Sequence, residues 1–151
     1  MSPLNLPPFD IKIVSLDGKQ MVWDIIREKY VAFTPEENVR QHFVNYLIEQ
    51  KNYPRALMAN EITIRLKGMS KRCDTIIYDR SLNPRMIIEY KAPSIAISNK
   101  VLNQIVSYNI ALRVDFLILS NGINHYCARL DYLKRTCMPL HEIPYFKEII
   151  F

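Results

Sequence analysis

Three charged residues stand where two short apolar runs would otherwise form ordinary strands. In the stretch "RCDTIIYDRSLNPRMIIEYKAP" (residues 72–93), Asp74 precedes the first run, and Glu89 and Lys91 end the second. Alternate side chains of a strand share a face, so Glu89 and Lys91 point the same way. A hairpin turning over "RSLNP" would bring Asp74 opposite Glu89. The spacing therefore predicts two carboxylates and an amine at one place.

This grouping of residue types suits a particular chemistry. Two close carboxylates repel, and burying them is costly unless a cation neutralises them. Mg²⁺ prefers hard oxygen ligands, commonly one or two carboxylates with phosphate oxygens, which Asp74 and Glu89 can offer. Lys91 can orient or deprotonate an attacking water, or stabilise charge developing on phosphorus. The alternative is a set of ordinary ion pairs, Asp74 with Lys71 or Arg72 and Glu89 with neighbours of Lys91.

The flanking sequence predicts the elements that would position these residues. Thr34 is a good N-cap, Pro35 suits the first helical position, and apolar residues then recur at helical spacing to about residue 51. "NEITIRLKG" alternates as a strand with one wet face, and with the two runs above it makes an antiparallel meander. Ser98 can cap a second helix. "VDFLILS", an Asn121-Gly122 hairpin turn and "INHYCARL" then predict two further strands.

Together these elements predict one α/β domain. The second helix separates the meander from "VDFLILS", and a connection of this length allows a parallel pair. We therefore expect a mixed central sheet, an antiparallel meander plus a parallel strand, flanked by helices. Residues 1–33 should form an N-terminal arm and cover segment, with a short strand, an Asp-Gly turn and a helical or irregular piece around Trp23. Residues 34–151 should form the main domain, although the tail from Asp131 has no clear pattern.

Composition narrows the environment and the partners. The 151 residues are 49% hydrophobic, enough for one core. Lys and Arg number 20 against 15 Asp and Glu, a net charge of +5 that suits a polyanion such as DNA. We expect a cytoplasmic protein without membrane contact, because no apolar stretch could span a bilayer and the start lacks a signal-peptide pattern. Three cysteines without CxxC spacing indicate neither a disulfide framework nor a zinc site.

Five motifs in order resemble a known family. "TPEENVRQ", "KRCDTIIYD", "IIEYKAP", "NQIVSYN" and "LILSNG", over about residues 34–122, resemble the N-terminal nuclease domain of type I restriction enzyme R subunits, within the PD-(D/E)XK nuclease superfamily. The resemblance implies a restriction-endonuclease-like fold and a metal-dependent DNA endonuclease. Asp74 and Glu89 would bind Mg²⁺ or Mn²⁺, and Lys91 would be the catalytic lysine. The family's proline before the first acid is replaced by Cys73.

The resemblance also implies further site residues. An acid on the first helix often completes such sites, and Glu37 or its neighbour Glu36 is the candidate. Glu37 could equally be the capping-box partner of Thr34. Gln104 and Tyr108 match the Q-x-x-x-Y element of the RecB-type branch, which helps position substrate. Tyr108 also fits an amphipathic core face.

The partners and two alternative functions follow from what surrounds the site. In the basic turn "KGMSKR", Lys67, Lys71 and Arg72 could contact DNA phosphates or stay solvated. The sequence has no G-x-x-x-x-G-K-[ST] phosphate loop, so we expect separate motor or specificity subunits, or a homodimer, to assist. A catalytically weak or inactive DNA-binding accessory module of a restriction or repair system is the first alternative. A structural interaction domain is the second, if the carboxylates pair away from any cleft.

Overall fold

The computed structural model describes residues 3–66 and 68–151, which form a small sheet, a larger sheet and two α-helices. In chain order the elements are β1 (Ile13–Leu16), β2 (Lys19–Asp24), β3 (Lys29–Ala32), α1 (Pro35–Lys51), β4 (Met58–Leu66), β5 (Met69–Tyr78), β6 (Pro84–Tyr90), α2 (Asn99–Leu112), β7 (Phe116–Ser120), β8 (His125–Asp131) and β9 (Thr136–Pro139). Short 3-10 helices cover Arg55–Leu57 and Phe146–Glu148. No helix within the described ranges is long and apolar enough to cross a bilayer.

The larger sheet has six strands in the order β4-β5-β6-β7-β8-β9. Its neighbours pair antiparallel except β6 and β7, which are parallel and are joined by α2. The turn between β5 and β6 is closed by Asp79, whose Oδ1 accepts hydrogen bonds from the N–H groups of Ser81 and Asn83. The predicted fold class, a mixed sheet built from a meander and a parallel strand, is therefore confirmed.

Helix α1 follows the predicted pattern at both ends. Thr34 Oγ1 accepts a hydrogen bond from Glu37 N at 3.0 Å, and Pro35 opens the helix. Asn52 ends it in the left-handed conformation, with φ of 62°. The apolar stripe packs fully buried against one face of the sheet: Val39, Phe43, Val44 and Leu47.

Helix α2 covers the other face of the sheet. Its N-cap is Ser98, as predicted, with Ser98 Oγ accepting from Val101 N at 3.3 Å. The apolar side chains on this side are buried between α2 and the central strands: Ile76, Ile87, Ile105, Leu112, Leu117 and Leu119. The central strands are thus buried on both faces, which leaves the strand ends as the places where polar side chains can gather.

The N-terminal segment differs from the prediction. The piece around Trp23, expected to be helical or irregular, is part of β2 in a three-stranded antiparallel sheet. The turn after β2 is organised by Asp24, whose Oδ1 accepts hydrogen bonds from Ile26 N at 2.7 Å and Arg27 N at 2.9 Å. A side chain that closes a turn in this way competes with helix formation, which is the physical reason for the error.

Two features near the C-terminus also differ. The hairpin after β7 is centred one residue later than predicted, because Asn121 Oδ1 accepts from the N–H groups of Ile123 and Asn124. Gly122 then occupies the turn with φ of +85°. The tail that gave no pattern contributes edge strand β9 and a 3-10 helix, whose Phe146 is buried in the core on the α1 side.

Candidate active site

The site begins at an interruption in the pairing of β4 with β5. Ladder pairs continue on both sides of Glu61 and Asp74, but these two residues do not pair. Glu61 has a φ of +56°, which is rare for a residue with a side chain and costs energy. The Asp74 carboxylate is turned towards β6, where Asp74 Oδ2 accepts a hydrogen bond from Tyr90 N at 2.8 Å. The interruption therefore aims an acidic side chain across to the neighbouring strand.

Glu89 lies directly across from Asp74. The β5–β6 register pairs Thr75 with Ile88, so the next position on each strand places the two acids together, as the sequence predicted. Glu89 is only 8% exposed, and its Oε1 lies 3.2 Å from Lys71 Nζ. Burial and the adjacent Asp74 carboxylate raise the pKa of Glu89 to about 8. Two acids and one ammonium thus share a small, largely buried space.

A cavity of about 150 Å³ opens beside Glu89, between the sheet and α2. We call it the charged cavity, and its lining residues are Lys71, Glu89, Lys91, Val101, Gln104, Ile105 and Tyr108. The Lys71 ammonium lies over the Tyr108 ring, 4.9 Å from its centroid. The structure thus brings together five residues that the sequence singled out, and it places Lys71 inside the site rather than on a solvated turn.

The two acids at the start of α1 have different surroundings. Glu37 Oε1 accepts from Arg27 Nη2 at 2.9 Å, and Glu37 Oε2 lies 2.8 Å from Arg40 Nε. Both carboxylate oxygens of Glu37 therefore pair with arginines, and a role for Glu37 in completing the site stays a prediction. Glu36 is half-buried, and burial followed by the negative charge of Asp74 raises the pKa of Glu36. Glu36 is thus a helix acid within electrostatic reach of Asp74.

The remaining basic candidates do not line the charged cavity. Arg72 Nε pairs with Glu61 Oε2 at 2.7 Å, and its side chain is 70% exposed. This is an ion pair at the interrupted ladder, and it differs from the Asp74–Arg72 pair that was the alternative interpretation of the sequence. Lys67 lies outside the described residues.

The donor set fits a hard divalent cation with incomplete protein coordination. Glu89 Oε1 is buried and makes no well-aligned hydrogen bond within the described chain, although Lys71 is close to it. Asp74 and Glu89 form a carboxylate pair whose charges need a cation. No third His, Cys, Asp or Glu joins them in a common cluster among the described residues. Mg²⁺ tolerates such a site, because it retains waters and accepts phosphate oxygens as ligands.

Sequence reasoning missed two residues around Asp74. Arg40 is 4% exposed, and its Nη1 donates to the Asp74 carbonyl oxygen at 2.7 Å. Glu61, expected on a solvated strand face, accepts from Arg40 Nη2 at 2.6 Å. The only sequence signal for Arg40 was its position one turn after Glu37, on the apolar side of the helix. Nothing in the sequence indicates the positive φ of Glu61.

The fold and the site define a class: an α/β domain with a mixed sheet and a charged cavity beside an interrupted strand pair. The family model described as type I restriction enzyme R protein N terminus (HSDR_N) matches residues 35–144. The chain therefore belongs to this family. None of the curated proteins is similar enough to count as a match.

A solved structure supports the same architecture. It is described as the fragment structure of a putative HsdR subunit of a type I restriction enzyme from Vibrio vulnificus YJ016. The TM-score is 0.54 at 18% sequence identity, over 76% of this chain and 24% of that one. At this identity the similarity shows the fold alone. This chain spans about a quarter of the length of that fragment.

Proposed function

We propose that this domain is a metal-dependent DNA endonuclease of the PD-(D/E)XK type, in which Asp74 and Glu89 hold Mg²⁺ or Mn²⁺. The observation that carries the proposal is the Asp74–Glu89 carboxylate pair, whose Glu89 lines the charged cavity together with Lys91, Gln104 and Tyr108. Membership of a type I restriction R-protein family supports the same reaction class.

The residues around the carboxylate pair have separate roles in this proposal. A bound divalent cation would neutralise both acids and polarise the scissile phosphodiester. Lys91 shares the cavity with Glu89, where its ammonium can orient an attacking water and stabilise negative charge developing on the phosphate oxygens. Lys71 can pair with a neighbouring DNA phosphate. Gln104 and Tyr108, one helical turn apart, can donate hydrogen bonds to the DNA backbone.

The wider assembly follows from the same proposal. Net charge of +5 favours DNA as the partner. Motor and specificity functions would come from other subunits in the cytoplasm, and cutting both strands would require a homodimer or a second subunit. Residues 34–151 would form the nuclease unit and residues 1–33 its cover, while Arg72 could contact DNA phosphates at the rim.

A plasmid-nicking assay with metal titration tests the proposal. Supercoiled DNA is incubated with Mg²⁺ or Mn²⁺ and with wild type, Asp74→Ala, Glu89→Ala or Lys91→Ala. The matched control is Lys100→Ala, which removes an exposed lysine near the start of α2. We expect metal-dependent nicking that falls by about 10²–10³-fold in Lys91→Ala. The control should retain full activity, and circular dichroism should show that all variants are folded.

Other results of the nicking assay would contradict the proposal or favour one of the alternative functions. Nicking that persists in Lys91→Ala would come from a contaminating nuclease and would overturn the proposal. Salt-sensitive DNA binding without cleavage under any metal would support the accessory DNA-binding module instead. Failure to bind either DNA or metal would favour an interaction domain.

A further inference from the structure

A buried arginine on α1 lies directly behind the interrupted strand pair. Arg40 Nη1 donates to the Asp74 carbonyl oxygen at 2.7 Å, and Arg40 Nη2 donates to Glu61 Oε1 at 2.6 Å. Its Nε lies 2.8 Å from Glu37 Oε2. One guanidinium therefore ties α1 to β4 and β5 at the position where their ladder is broken.

These contacts determine where the Asp74 carboxylate points. The Asp74 carbonyl bonds to the helix arginine, and the unpaired residue across from it, Glu61, has the unfavourable φ of +56°. The Glu61 carboxylate is held by Arg40 and by Arg72. With the backbone fixed in this way, the Asp74 side chain can reach Tyr90 N on β6.

The small N-terminal sheet supports the same arginine. Arg27, in the turn after β2, donates to Glu37 Oε1 at 2.9 Å and also pairs with Asp24. Asp24 is fully buried and accepts a hydrogen bond from Asn60 Nδ2 at 3.0 Å. A continuous series of ion pairs and hydrogen bonds therefore runs from the small sheet through Glu37 and Arg40 to the Asp74 carbonyl.

We propose that Arg40 is a positioning residue, which fixes the backbone of Asp74 so that Asp74 and Glu89 can hold one divalent cation. The inference rests on the proposed function, because it assigns a role towards that cation. The planar guanidinium presents several donors in a fixed fork that meets the Asp74 carbonyl and Glu61 together, whereas a lysine ammonium is a flexible point charge without this geometry. Arg40 is not one of the residues that line the charged cavity.

The test compares Arg40→Lys with Arg85→Lys. Arg85 is a matched control, because its guanidinium also bridges a carbonyl and a carboxylate, Ile149 O at 3.0 Å and Asp115 Oδ2 at 2.9 Å, remote from the charged cavity. Calorimetric titration with Mn²⁺ alone measures metal affinity on the whole chain, and urea unfolding measures stability. Outer residues that orient metal ligands typically change metal affinity by about 10–100-fold. We expect a loss of this size for Arg40→Lys only.

Two further measurements distinguish a positioning role from a general loss of stability: the Mn²⁺ concentration needed for nicking, and the DNA affinity without metal. Arg40→Lys should need more Mn²⁺ for half-maximal nicking, with DNA affinity in EDTA within about twofold of wild type. Should Arg40→Lys fail to fold, Glu61→Gln removes the negative charge from one partner of the fork with little change of shape, and it should also weaken Mn²⁺ binding.

The inference is overturned if a folded Arg40→Lys, or Glu61→Gln in its place, binds Mn²⁺ as tightly as wild type. It is also overturned if Arg85→Lys weakens binding equally, or if wild type binds no Mn²⁺. If wild type binds Mn²⁺ and cleaves no DNA, the proposed endonuclease activity fails. The positioning role is then decided by the titrations alone.

Discussion

Glu89→Gln should stabilise the metal-free protein while removing metal binding. The substitution keeps the shape of a side chain that is 8% exposed and removes its charge beside Asp74. Burial and Asp74 raise the pKa of Glu89 from 4.5 to about 8, so the folded chain binds a proton that the unfolded chain releases. The free energy of unfolding must therefore fall as pH rises from about 4.5 to about 8. The glutamine variant lacks this loss.

The size of the effect follows from that difference in pKa. Each tenfold change in proton affinity corresponds to about 1.4 kcal/mol, so wild type should lose at most about 4 kcal/mol by pH ~8 relative to the variant. Water entering the cavity reduces the cost of ionising Glu89. We therefore expect an observed difference between about 1 and 4 kcal/mol.

Urea unfolding in EDTA at pH ~5 and pH ~8 measures this difference. Glu142→Gln, which removes an exposed carboxylate, is the control and should follow wild type at both pH values. Adding Mn²⁺ at about 100 times its dissociation constant should stabilise wild type by about 2.7 kcal/mol and leave Glu89→Gln unchanged. If the free energy of unfolding depends on pH in the same way for wild type and Glu89→Gln, the claim that ionising Glu89 destabilises the folded protein is refuted.

Two further predictions concern the cysteines and two turn glycines. Burial raises the pKa of Cys73 and Cys127 to about 12, so a thiol reagent at pH ~8 should label Cys137 in the native protein and all three thiols after denaturation; rapid native labelling of a second thiol would contradict the packing. Gly122→Ala should cost more stability than Gly18→Ala. Both positions have positive φ, but a Cβ at 122 would lie 2.8 Å from a side-chain carbon, whereas the space at 18 is open. We expect about 1 kcal/mol for residue 18 from backbone strain alone, and urea midpoints that coincide would refute the difference.

The parts of the fold that sequence predicted are those decided by neighbouring residues. Thr34 and Ser98 cap their helices through their own hydroxyl groups, and alternation in β4 to β6 defines the meander. The hairpin register then places Asp74 across from Glu89 because the turn between them is fixed by Asp79. The N-terminal sheet was missed because a side-chain turn at one aspartate has a weak signal in a short segment.

The choice between Glu36 and Glu37 could not be made from the sequence. Both lie in the first turn of α1, and helix phase places them on adjacent faces. Two arginines that contact the Glu37 carboxylate separate them. Arg27 belongs to a turn that was not predicted, and Arg40 lies one helical turn after Glu37. The role of a residue in a charged network depends on which partners the tertiary fold brings to it.

Three unfavourable features of this domain lie close together. A non-glycine residue with positive φ, a broken strand pair and two adjacent carboxylates meet within β4, β5 and β6. Each is costly by itself, and such strain persists where the surrounding structure enforces it. The enforcing structure is identifiable: buried strands packed by α1 and α2, and the Arg40 guanidinium bonded to Asp74 and Glu61. A domain selected for stability alone would gain by replacing the buried acids with apolar residues of similar volume. We therefore propose that the pair of acids beside an open cavity, with the Arg40 guanidinium behind it, serves to bind a charged ligand.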